Sequence, residues 1–296
     1  MIHIPVLKKE VIAYLNPREN ENFIDCTVGQ GGHSFAFLEK NGPQGKVLGI
    51  DKEEELIKEL SKKIKSLELE KRFLIYCGDY VELKEIVKRL NFFPVHGILF
   101  DFGMSSWHLE YSKRGFSFKK DELLLMNYGL KSRLTAIDIL NRYPEKEIER
   151  ILREYGQEKF SRRIAKKIVL NRKRRKILTT FQLIEIIKKS VPNWYLHQKK
   201  HFATKSFQAL RIAVNDELNK IAMVLPVAFE ILEPKGRIVT ISFHSLEDKV
   251  VKNFFKKLEK EKKAIILTKR PIKPTLQEVK TNPKSRSAKL RAVIKL

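Results

Sequence analysis

The stretch from Asp25 to Ser34, DCTVGQGGHS, places an acid and three glycines just before a predicted helix. Gly29, Gly31 and Gly32 allow the backbone to turn sharply and to approach a ligand closely. A short apolar run, FI, precedes the stretch, and the helical segment FAFLEKNG follows it. A glycine-rich turn between a strand and a helix is typical of nucleotide binding. We therefore expect a nucleotide-like ligand at this turn.

The charges around the turn favour a ligand without phosphate groups. The phosphate-binding pattern GxxxxGK[ST] is absent, and no Lys or Arg lies between Asp25 and Glu39. Asp25 would repel a pyrophosphate and attract a cation, while Asp51, at the end of the next predicted strand, is placed to bind a ribose diol. S-adenosylmethionine fits, because it combines an adenosine with a sulfonium and an ammonium. A packing turn without a ligand is the less favoured alternative.

Further candidate ligands follow the other predicted strands. The carboxyl ends of parallel strands meet at one edge of a sheet, so we expect these side chains to share one crevice. Asp79 and Tyr80 follow the third strand, where they could contact the edge and the face of an adenine. Asp101 ends the fourth strand, and Ser105 and Ser106 follow it in a small polar loop that leaves room for a planar base.

Two other segments near this edge carry residues with two interpretations each. Trp107 could stack on a base or pack on neighbouring helices, and packing is slightly favoured. His244 follows the fifth strand, where it could orient a substrate or bind the start of the next helix. Ser245 and Asp248 have the spacing of a helix N-cap, so we expect Ser245 to be structural.

Alternating strands and helices must position these residues. Short apolar runs predict buried strands at 23–27, 46–51, 72–77 and 97–101. Helical segments lie between them, notably at 52–66 and 81–91. Such alternation is typical of βαβ units, which build a parallel sheet with right-handed crossovers.

A helical segment interrupts this alternation. From about residue 107 to about residue 205 the apolar residues recur at helical spacing, with Thr179 or Thr180 as an N-cap. Strand patterns return at 236–243, 264–268 and 290–296. One long helix at 207–232, followed by a turn at Pro234 and Gly236, leads into them.

We therefore predict an α/β fold with two domains. The first is a discontinuous, Rossmann-like domain formed by residues 1–106 and 206–296. The second is an all-helical insertion of residues 107–205, which we expect to recognise the substrate.

The charge of the chain favours a polyanionic partner. Lys and Arg number 60 against 35 Asp and Glu, a net charge of +25. A lysine-rich proteome of a heat-adapted organism is the alternative explanation. Two segments are especially basic: 162–176 holds nine Lys and Arg and no acid, and 269–296 holds nine and one acid. A charged run is usually a solvated helix face, but two such runs together with the net charge favour contact with RNA. We therefore predict RNA-binding residues there: Arg162, Arg163, Lys166, Lys167, Arg172, Arg174, Arg175, Lys284 and Arg286.

Cysteine usage and hydropathy set further limits. Cys26 and Cys77 belong to no CxxC or Cys/His cluster, so no metal site is expected. Two cysteines are consistent with a reducing, cytoplasmic location. The sequence has neither a signal-peptide layout nor a run of about 18 apolar residues, so no membrane association is expected. The oligomeric state stays open.

Long motifs along the whole chain resemble one family, the small-subunit ribosomal RNA cytidine N4-methyltransferases known as RsmH or MraW. The motifs that carry the resemblance are HIPVLKKEVIAYL at 3–15, DCTVGQGGHS at 25–34, DFGMSS at 101–106, RGFSF at 114–118, YGQEKFSRRIAKKIV at 155–169, ATKSFQALRIAVNDEL at 203–218, GRIVTISFHSLEDKVVK at 236–252 and NPKSRSAKLRAV at 282–293. The fold is then expected to be a class I methyltransferase sheet with S-adenosylmethionine as cofactor.

The resemblance also implies a substrate and site residues. The expected reaction is methylation of the exocyclic N4 of a cytidine in the decoding region of 16S rRNA. The cofactor contacts that it implies are Gly31, Gly32, His33, Asp51, Tyr80, Asp101 and His108, to which the residues themselves add Asp25, Gly29 and Asp79. The candidate catalytic residues are Asp101, Ser105, Ser106 and His244.

The chain departs from the family pattern at two places. Position 108 is often Gln in the family and is His108 here, whose charge can vary with pH. After RGFSF the family has a sequence similar to DGPLDMRMD, whereas this chain has KKDELLLMNYG at 119–129. Asp121 and Met126 remain, but a second acid and an arginine are missing from this substrate-side loop.

Three other functions compete with this prediction. A nicotinamide-dependent oxidoreductase would need a turn compatible with a pyrophosphate, which Asp25 disfavours. A non-catalytic RNA-binding or ribosome-assembly factor would retain the fold but transfer no methyl group. A DNA amino-methyltransferase would carry a Pro-Pro-aromatic loop after the fourth strand, where this chain has DFGMSS.

Overall fold

The computed structural model describes residues 4–129 and 134–296. His3, the first residue of the N-terminal motif, lies outside the described residues. The chain divides into two compact units, the first formed by Met1–Gly103 and Leu218–Leu296 and the second by Met104–Glu217. No helix within the described ranges is both long enough and apolar enough to cross a membrane.

The first unit contains a single seven-stranded sheet. Its strands are β1 Phe23–Asp25, β2 Val47–Asp51, β3 Phe73–Cys77, β4 Val95–Asp101, β5 Leu232–Ser242, β6 Ala264–Ile266 and β7 Lys289–Lys295. They are ordered β3-β2-β1-β4-β5-β7-β6. Strands β1 to β5 pair in parallel, and β7 runs antiparallel to both β5 and β6. The predicted Rossmann-like α/β fold is confirmed, and the strand order reverses between β1 and β4, where such sheets bind ligands.

Helices cover both faces of this sheet. They are α1 Lys8–Leu15, α2 Gly32–Leu38, α3 Glu54–Ser66, α4 Leu83–Arg89, α12 Glu217–Ile231, α13 Ser245–Lys260 and α14 Leu276–Thr281. Neighbouring strand residues alternate between the faces: Ile98 packs with α4, α12 and α13, whereas Leu99 packs with α1, α2 and α3. Because each buried strand contributes side chains to apolar layers on both faces of the sheet, its sequence is continuously hydrophobic.

The second unit is helical. Its helices are α5 Ser106–Glu110, α6 Ala136–Arg142, α7 Glu145–Glu154, α8 Ser161–Arg172, α9 Thr180–Lys188, α10 Asn193–Leu196 and α11 Thr204–Asn215. They surround their own core, which includes Ile139, Ile148, Ile164 and Leu183. Thr179 caps α9, and its capping box with Gln182 confirms one of the two predicted caps.

The unit boundaries differ from the domain boundaries predicted at 106 and 206. Helix α11 contributes Phe207, Leu210 and Val214 to the core of the second unit, so this unit extends to Glu217. The single helix predicted at 207–232 is wrong. The chain forms two helices there, because Asp216 adopts a left-handed conformation with φ of 52° and ends α11.

The turn predicted at Pro234 and Gly236 lies inside β5. This strand runs without interruption from Leu232 to Ser242, and its register against β4 shifts between Val95 and Gly97. Lys235 has a φ of 63°, so the backbone is irregular at this point without leaving the sheet.

Candidate functional site

The glycine turn connects β1 to α2 at the carboxyl edge of the sheet. Gly29 and Gly31 have φ values of 49° and 80°, a region that L side chains rarely adopt. The Gly31 N–H donates to the carbonyl of Val28 at 2.7 Å, and the Val28 N–H donates to the carbonyl of Ile50 at 3.0 Å. The turn is therefore tied to the neighbouring strand β2.

Packing within the protein adds a second reason for glycine. A Cβ on Gly31 would lie 2.8 Å from Leu60 and 2.9 Å from Phe35, and a Cβ on Gly32 would lie 3.2 Å from Pro5. Carbon atoms do not approach so closely without displacement. The side of the turn that faces α3 is therefore filled by the protein itself.

Asp51, the last residue of β2, holds the glycine turn in place through a hydrogen bond to Gly29. Its Oδ2 accepts from the Gly29 N–H at 2.9 Å, and its Oδ1 accepts from the Glu53 N–H at 3.0 Å. Both bonds hold the carboxylate at the edge of the sheet, where the sequence places a ribose-binding acid. The contact with a ribose stays a prediction.

Asp25 lies beneath the turn and is only 1 % exposed. Its Oδ2 accepts from the Ser34 hydroxyl at 2.8 Å, and its Oδ1 accepts from the Thr27 N–H at 3.2 Å. Burial raises the pKa of Asp25 to about 6, and the nearby charge of Asp51 adds to this effect, although the two hydrogen bonds favour the ionised form. Asp25 is therefore placed to act on a ligand through its charge.

Asp101 ends β4 beside this buried acid. Its N–H donates to the Thr27 hydroxyl at 2.8 Å, and His33 Nε2 lies 4.0 Å from its Oδ2. Burial, together with the charges of Asp25 and Glu247, raises the pKa of Asp101 well above its ordinary value. Its Oδ1 is buried and has no hydrogen-bond partner among the residues that the structure describes. This oxygen can accept a hydrogen bond from a ligand.

His244 serves as the N-cap of α13. The prediction that Ser245 caps this helix is wrong, because His244 Nδ1 accepts from the Glu247 N–H at 3.4 Å. Glu247 Oε2 accepts in return from the N–H groups of Phe243 and His244, at 2.8 and 3.2 Å. Asp248 instead pairs with Arg291 at 2.6 Å. The spacing H-x-x-E contains this capping box, so the sequence held a signal for it.

The end of β3 carries an ion-pair cluster that the sequence did not indicate. Asp79 Oδ2 lies 2.6 Å from Lys52 Nζ and 3.0 Å from Lys220 Nζ. Burial alone would raise the pKa of Asp79, but the two ammonium groups outweigh it and lower the pKa below its usual range. Burial in turn lowers the pKa of Lys52. Asp79 is thus the shared partner of two lysines, and its contact with an adenine stays a prediction.

Aromatic packing fixes the neighbouring Tyr80. Its ring makes edge contacts with Phe100 and Phe102, at centroid distances of 6.0 and 6.3 Å, and Lys52 Nζ lies 5.9 Å from the ring. The first unit therefore gathers the predicted residues of five strand ends at one edge of its sheet: Asp25, Gly29, Gly31, Gly32, His33, Asp51, Asp79, Tyr80, Asp101 and His244.

The remaining cofactor and catalytic candidates belong to the second unit. Ser105 is the N-cap of α5, where its hydroxyl lies 2.8 Å from His108 Nδ1, and Ser106 is the first residue of the helix. His108 is buried, and its ring contacts Trp107 and Tyr128 at 5.4 and 4.8 Å. The serine and histidine at the start of α5 thus form a local capping box.

The loop at 119–129, which departs from the family pattern, is anchored within the second unit. Asp121 Oδ1 accepts from the Phe181 N–H at 3.1 Å, and Glu122 Oε2 accepts from the Gly115 N–H at 3.1 Å. Met126 is buried with a φ of 56°. The altered sequence therefore retains a defined loop in which both acids have structural hydrogen bonds.

The basic helix α8 presents most of its charge to solvent. Arg162, Arg163, Lys166 and Lys167 are exposed on α8, and residues 173–176 continue the exposed charge beyond it. Arg172 differs, because its guanidinium donates to the carbonyls of Leu140 and Tyr143 at 3.0 and 2.7 Å. This arginine therefore has a structural role, and the exposed members remain candidates for RNA binding.

Comparison with known proteins adds relatives over the full chain. A protein of Sulfurihydrogenibium azorense named ribosomal RNA small subunit methyltransferase H is 45 % identical over 294 residues, which cover 99 % of both chains. The protein of the same name from Thermotoga neapolitana is 43 % identical and covers 98 % of this chain and 95 % of its own. A solved rRNA methylase of Streptococcus thermophilus is 12 % identical with a TM-score of 0.47, covering 100 % of this chain and 99 % of that one. Residues 1–296 match the MraW methylase family.

The chain belongs to the MraW methylase family. The resemblance carried by the sequence motifs is thereby confirmed. S-adenosylmethionine is the methyl donor of this family, which confirms the predicted cofactor.

The residues of the site fit this cofactor. Asp25 and Glu247 are buried and Asp101 is partly buried; their charges repel one another, and a cation bound beside them would relieve that repulsion. The unpartnered Oδ1 of Asp101 offers an acceptor for a ligand donor. Sequence reasoning missed Glu247, which accepts from the Phe243 N–H, and Thr27, whose hydroxyl accepts from the Asp101 N–H.

Replacement of the two left-handed glycines by alanine separates backbone strain from packing. We expect Gly29→Ala to cost about 1 kcal/mol, since its Cβ meets only the Thr27 carbonyl, at 3.9 Å. Gly31→Ala adds overpacking against Leu60 and Phe35, for a total of about 2–4 kcal/mol. Urea denaturation of both variants measures the difference, and equal losses would contradict the packing role of Gly31.

Removal of the buried acid changes how stability depends on pH. The folded chain holds the proton of Asp25 up to about pH 6, whereas the unfolded chain releases it near 3.8. The contribution of Asp25 to the free energy of unfolding therefore falls as pH rises from about 4 to 6, by on the order of 3 kcal/mol, and is constant above. Asp25→Asn lacks this contribution. Denaturation of both proteins from pH 4 to 8 gives the difference, which must fall with pH; a constant or rising difference would refute the buried-charge assignment.

Proposed function

We propose that this protein transfers a methyl group from S-adenosylmethionine to the exocyclic N4 of a cytidine in the decoding region of 16S rRNA, in the cytoplasm. The observation that carries the proposal is the match of residues 1–296 to the MraW methylase family, with full-length relatives named for the small-subunit ribosomal RNA. The assignment to the N4 of a cytidine and to the decoding region rests on the resemblance of the motifs. The acidic residues around the glycine turn support a cationic methyl donor.

Each residue at the carboxyl edge has a proposed part in holding the cofactor. Asp51, fixed by the Gly29 N–H, binds the ribose diol. The ring of Tyr80 contacts the adenine. Gly31 and Gly32, at the start of α2, allow the backbone to lie close to the ligand. Asp25 supplies buried negative charge that favours the sulfonium and the ammonium. The donor, when bound, supplies an electrophilic methyl group.

Asp101 is proposed to contact the N4 amine of the cytosine directly. The N4 lone pair of cytosine is delocalised into the ring, so the amine must be held in line and its N–H bonded to an acceptor. Asp101 Oδ1 is a buried oxygen without a partner among the described residues, at the end of the central strand β4. It is therefore our candidate acceptor, and His33, 4.0 Å from its other oxygen, is placed to orient it.

The other catalytic candidates have secondary proposed roles. Ser105 and Ser106 begin α5, where hydroxyl and carbonyl oxygens could hold the amine or the base. His244 caps α13 through Glu247, so we assign it to positioning. His108 takes the place of the family's Gln as a proposed cofactor contact.

RNA recognition is assigned to the basic surface of the second unit. The segment that contains the exposed cations of α8 and of residues 173–176 has no acid. Its uncompensated positive charge attracts phosphates. A cytidine within folded RNA must leave its stack to reach an enzyme, so we expect base extrusion or action on an assembled subunit.

The role of Asp101 is tested by labelled methyl transfer. We expect Asp101→Asn to lower turnover at saturating cofactor by roughly 10²-fold or more, because the amide lacks the charge that accepts the amine N–H. Incorporation of labelled methyl groups into small-subunit RNA measures this, with the exposed acid variant Glu55→Gln as the control. Near-normal turnover with intact cofactor binding would remove Asp101 from the mechanism. A wild-type protein that binds the RNA without methylating it would favour a non-catalytic assembly factor.

The role of α8 is tested by salt dependence. The double variant Lys166→Gln/Lys167→Gln should reduce the slope of log affinity against log salt by about 1.4, if both lysines contact single-stranded phosphates. The control is Lys62→Gln/Lys65→Gln, which removes the same charge from exposed positions of α3. Fluorescence anisotropy with a labelled fragment of small-subunit RNA gives both slopes. Equal slopes in the two double variants would exclude α8 from the interface.

A further inference from the structure

A basic depression lies on the first unit, on the side of the sheet that α13 covers. Its volume is about 240 Å³, and α13, β6 and β7 form its walls. The lining contains four cations and one acid, with an apolar floor: Lys252, Lys256, Lys269, Arg291, Glu259, Phe255, Ile266 and Thr268. None of these residues belongs to the cofactor edge; Lys269 and Arg291 lie in the basic segment 269–296, whereas the lysines of α13 lie outside both predicted RNA-binding segments.

The lysines follow one face of α13. Lys249, Lys252, Lys256 and Lys260 recur at intervals of three and four residues, which places them on a single stripe. The stripe is about 16 Å long at 1.5 Å per residue, so it can span several phosphates of a nucleic-acid strand. Lys269 extends the positive charge beyond the helix.

The charge of this stripe is not balanced locally. Lys252, Lys256 and Lys269 make no ion pair with any residue in the described part of the chain. By contrast, Lys257 and Lys263, also near the end of α13, both pair with Glu261. The carboxylate of Glu259 accepts from the Ile266 N–H at 3.2 Å, which commits one of its oxygens to the backbone.

The interior of the depression is rigid. Arg291 is 7 % exposed, and its Nε and Nη2 donate to Asp248 at 2.6 and 3.2 Å in a bidentate pair. The Thr268 hydroxyl accepts from the Ala292 N–H at 2.9 Å. Asp248 therefore neutralises Arg291, and the free positive charge of the depression comes from its three lysines.

We propose that this depression binds phosphate groups of the RNA substrate, as a second contact surface on the unit that holds the cofactor. This inference rests on the proposed function, which supplies an RNA substrate. Three ammonium groups without ion pairs in the described part of the chain match the negative charge of a phosphodiester strand. Phe255 is buried at 1 % exposure and offers no free ring face, so the site binds the backbone and does not stack on bases.

The test compares two double variants, in and just beyond α13, in binding to a small-subunit RNA fragment. In Lys252→Gln/Lys256→Gln, the slope of log affinity against log salt should fall by about 1.4, and affinity at 0.1 M salt should weaken roughly 25-fold. The matched control, Lys257→Gln/Lys263→Gln, removes the same charge from lysines that pair with Glu261, and its slope should equal that of the wild type. Circular dichroism confirms that both variants are folded.

Methyl transfer, measured on the same proteins, separates this inference from the proposed function. We expect the Lys252→Gln/Lys256→Gln variant to reach wild-type turnover at saturating RNA, with a higher KM. An unchanged salt slope in this variant, with normal methylation, would overturn the phosphate site alone and favour an acidic protein partner for the depression. Failure of the wild-type protein to methylate small-subunit RNA would contradict the proposed function, whatever the slopes.

Discussion

Asp25, Asp101 and Glu247 are acids crowded at one edge of the sheet of the first unit, where burial and mutual repulsion raise the pKa of Asp101. Asp25 itself is fully enclosed, with a pKa near 6. A protein retains buried acids of this kind at a cost in stability, and cationic ligands recover that cost when they bind. We propose that the preference for a positively charged, phosphate-free methyl donor follows from this single electrostatic constraint.

The fold determines why these acids meet. Parallel strands β1, β2 and β4 all end at the same edge, so Asp25, Asp51 and Asp101, each the last residue of its strand, are brought together by register alone. Backbone N–H groups of Thr27 and Gly29 then hold the carboxyl groups of Asp25 and Asp51 in place, and the Phe243 N–H holds that of Glu247. Because the supporting groups belong to the chain itself, the site is organised before any ligand arrives, which reduces the entropy lost on binding.

Local patterns in the sequence predicted much of this arrangement. Continuous apolar runs located all seven strands, since a strand buried on both faces has no polar alternation, and the glycine cluster marked the turn. Features that depend on distant contacts were not predictable. The pairing of Asp79 with Lys220 joins residues far apart in the chain, and the break at Asp216 arises where one compact unit ends and the other resumes. The cap at His244 was misassigned because serine is the commoner N-cap, although Glu247 three residues later gave a signal.

The central claim, that buried carboxylates select a cationic donor, is tested most directly by calorimetry with S-adenosylmethionine and its neutral thioether product, S-adenosylhomocysteine, from pH 5 to pH 8. As Asp25 loses its proton near pH 6, the site gains negative charge that attracts the sulfonium, in addition to the ammonium group that both ligands carry. The account predicts that the affinity for the sulfonium, relative to that for the thioether, increases with pH over this range. A ratio that stays constant from pH 5 to pH 8 would contradict it.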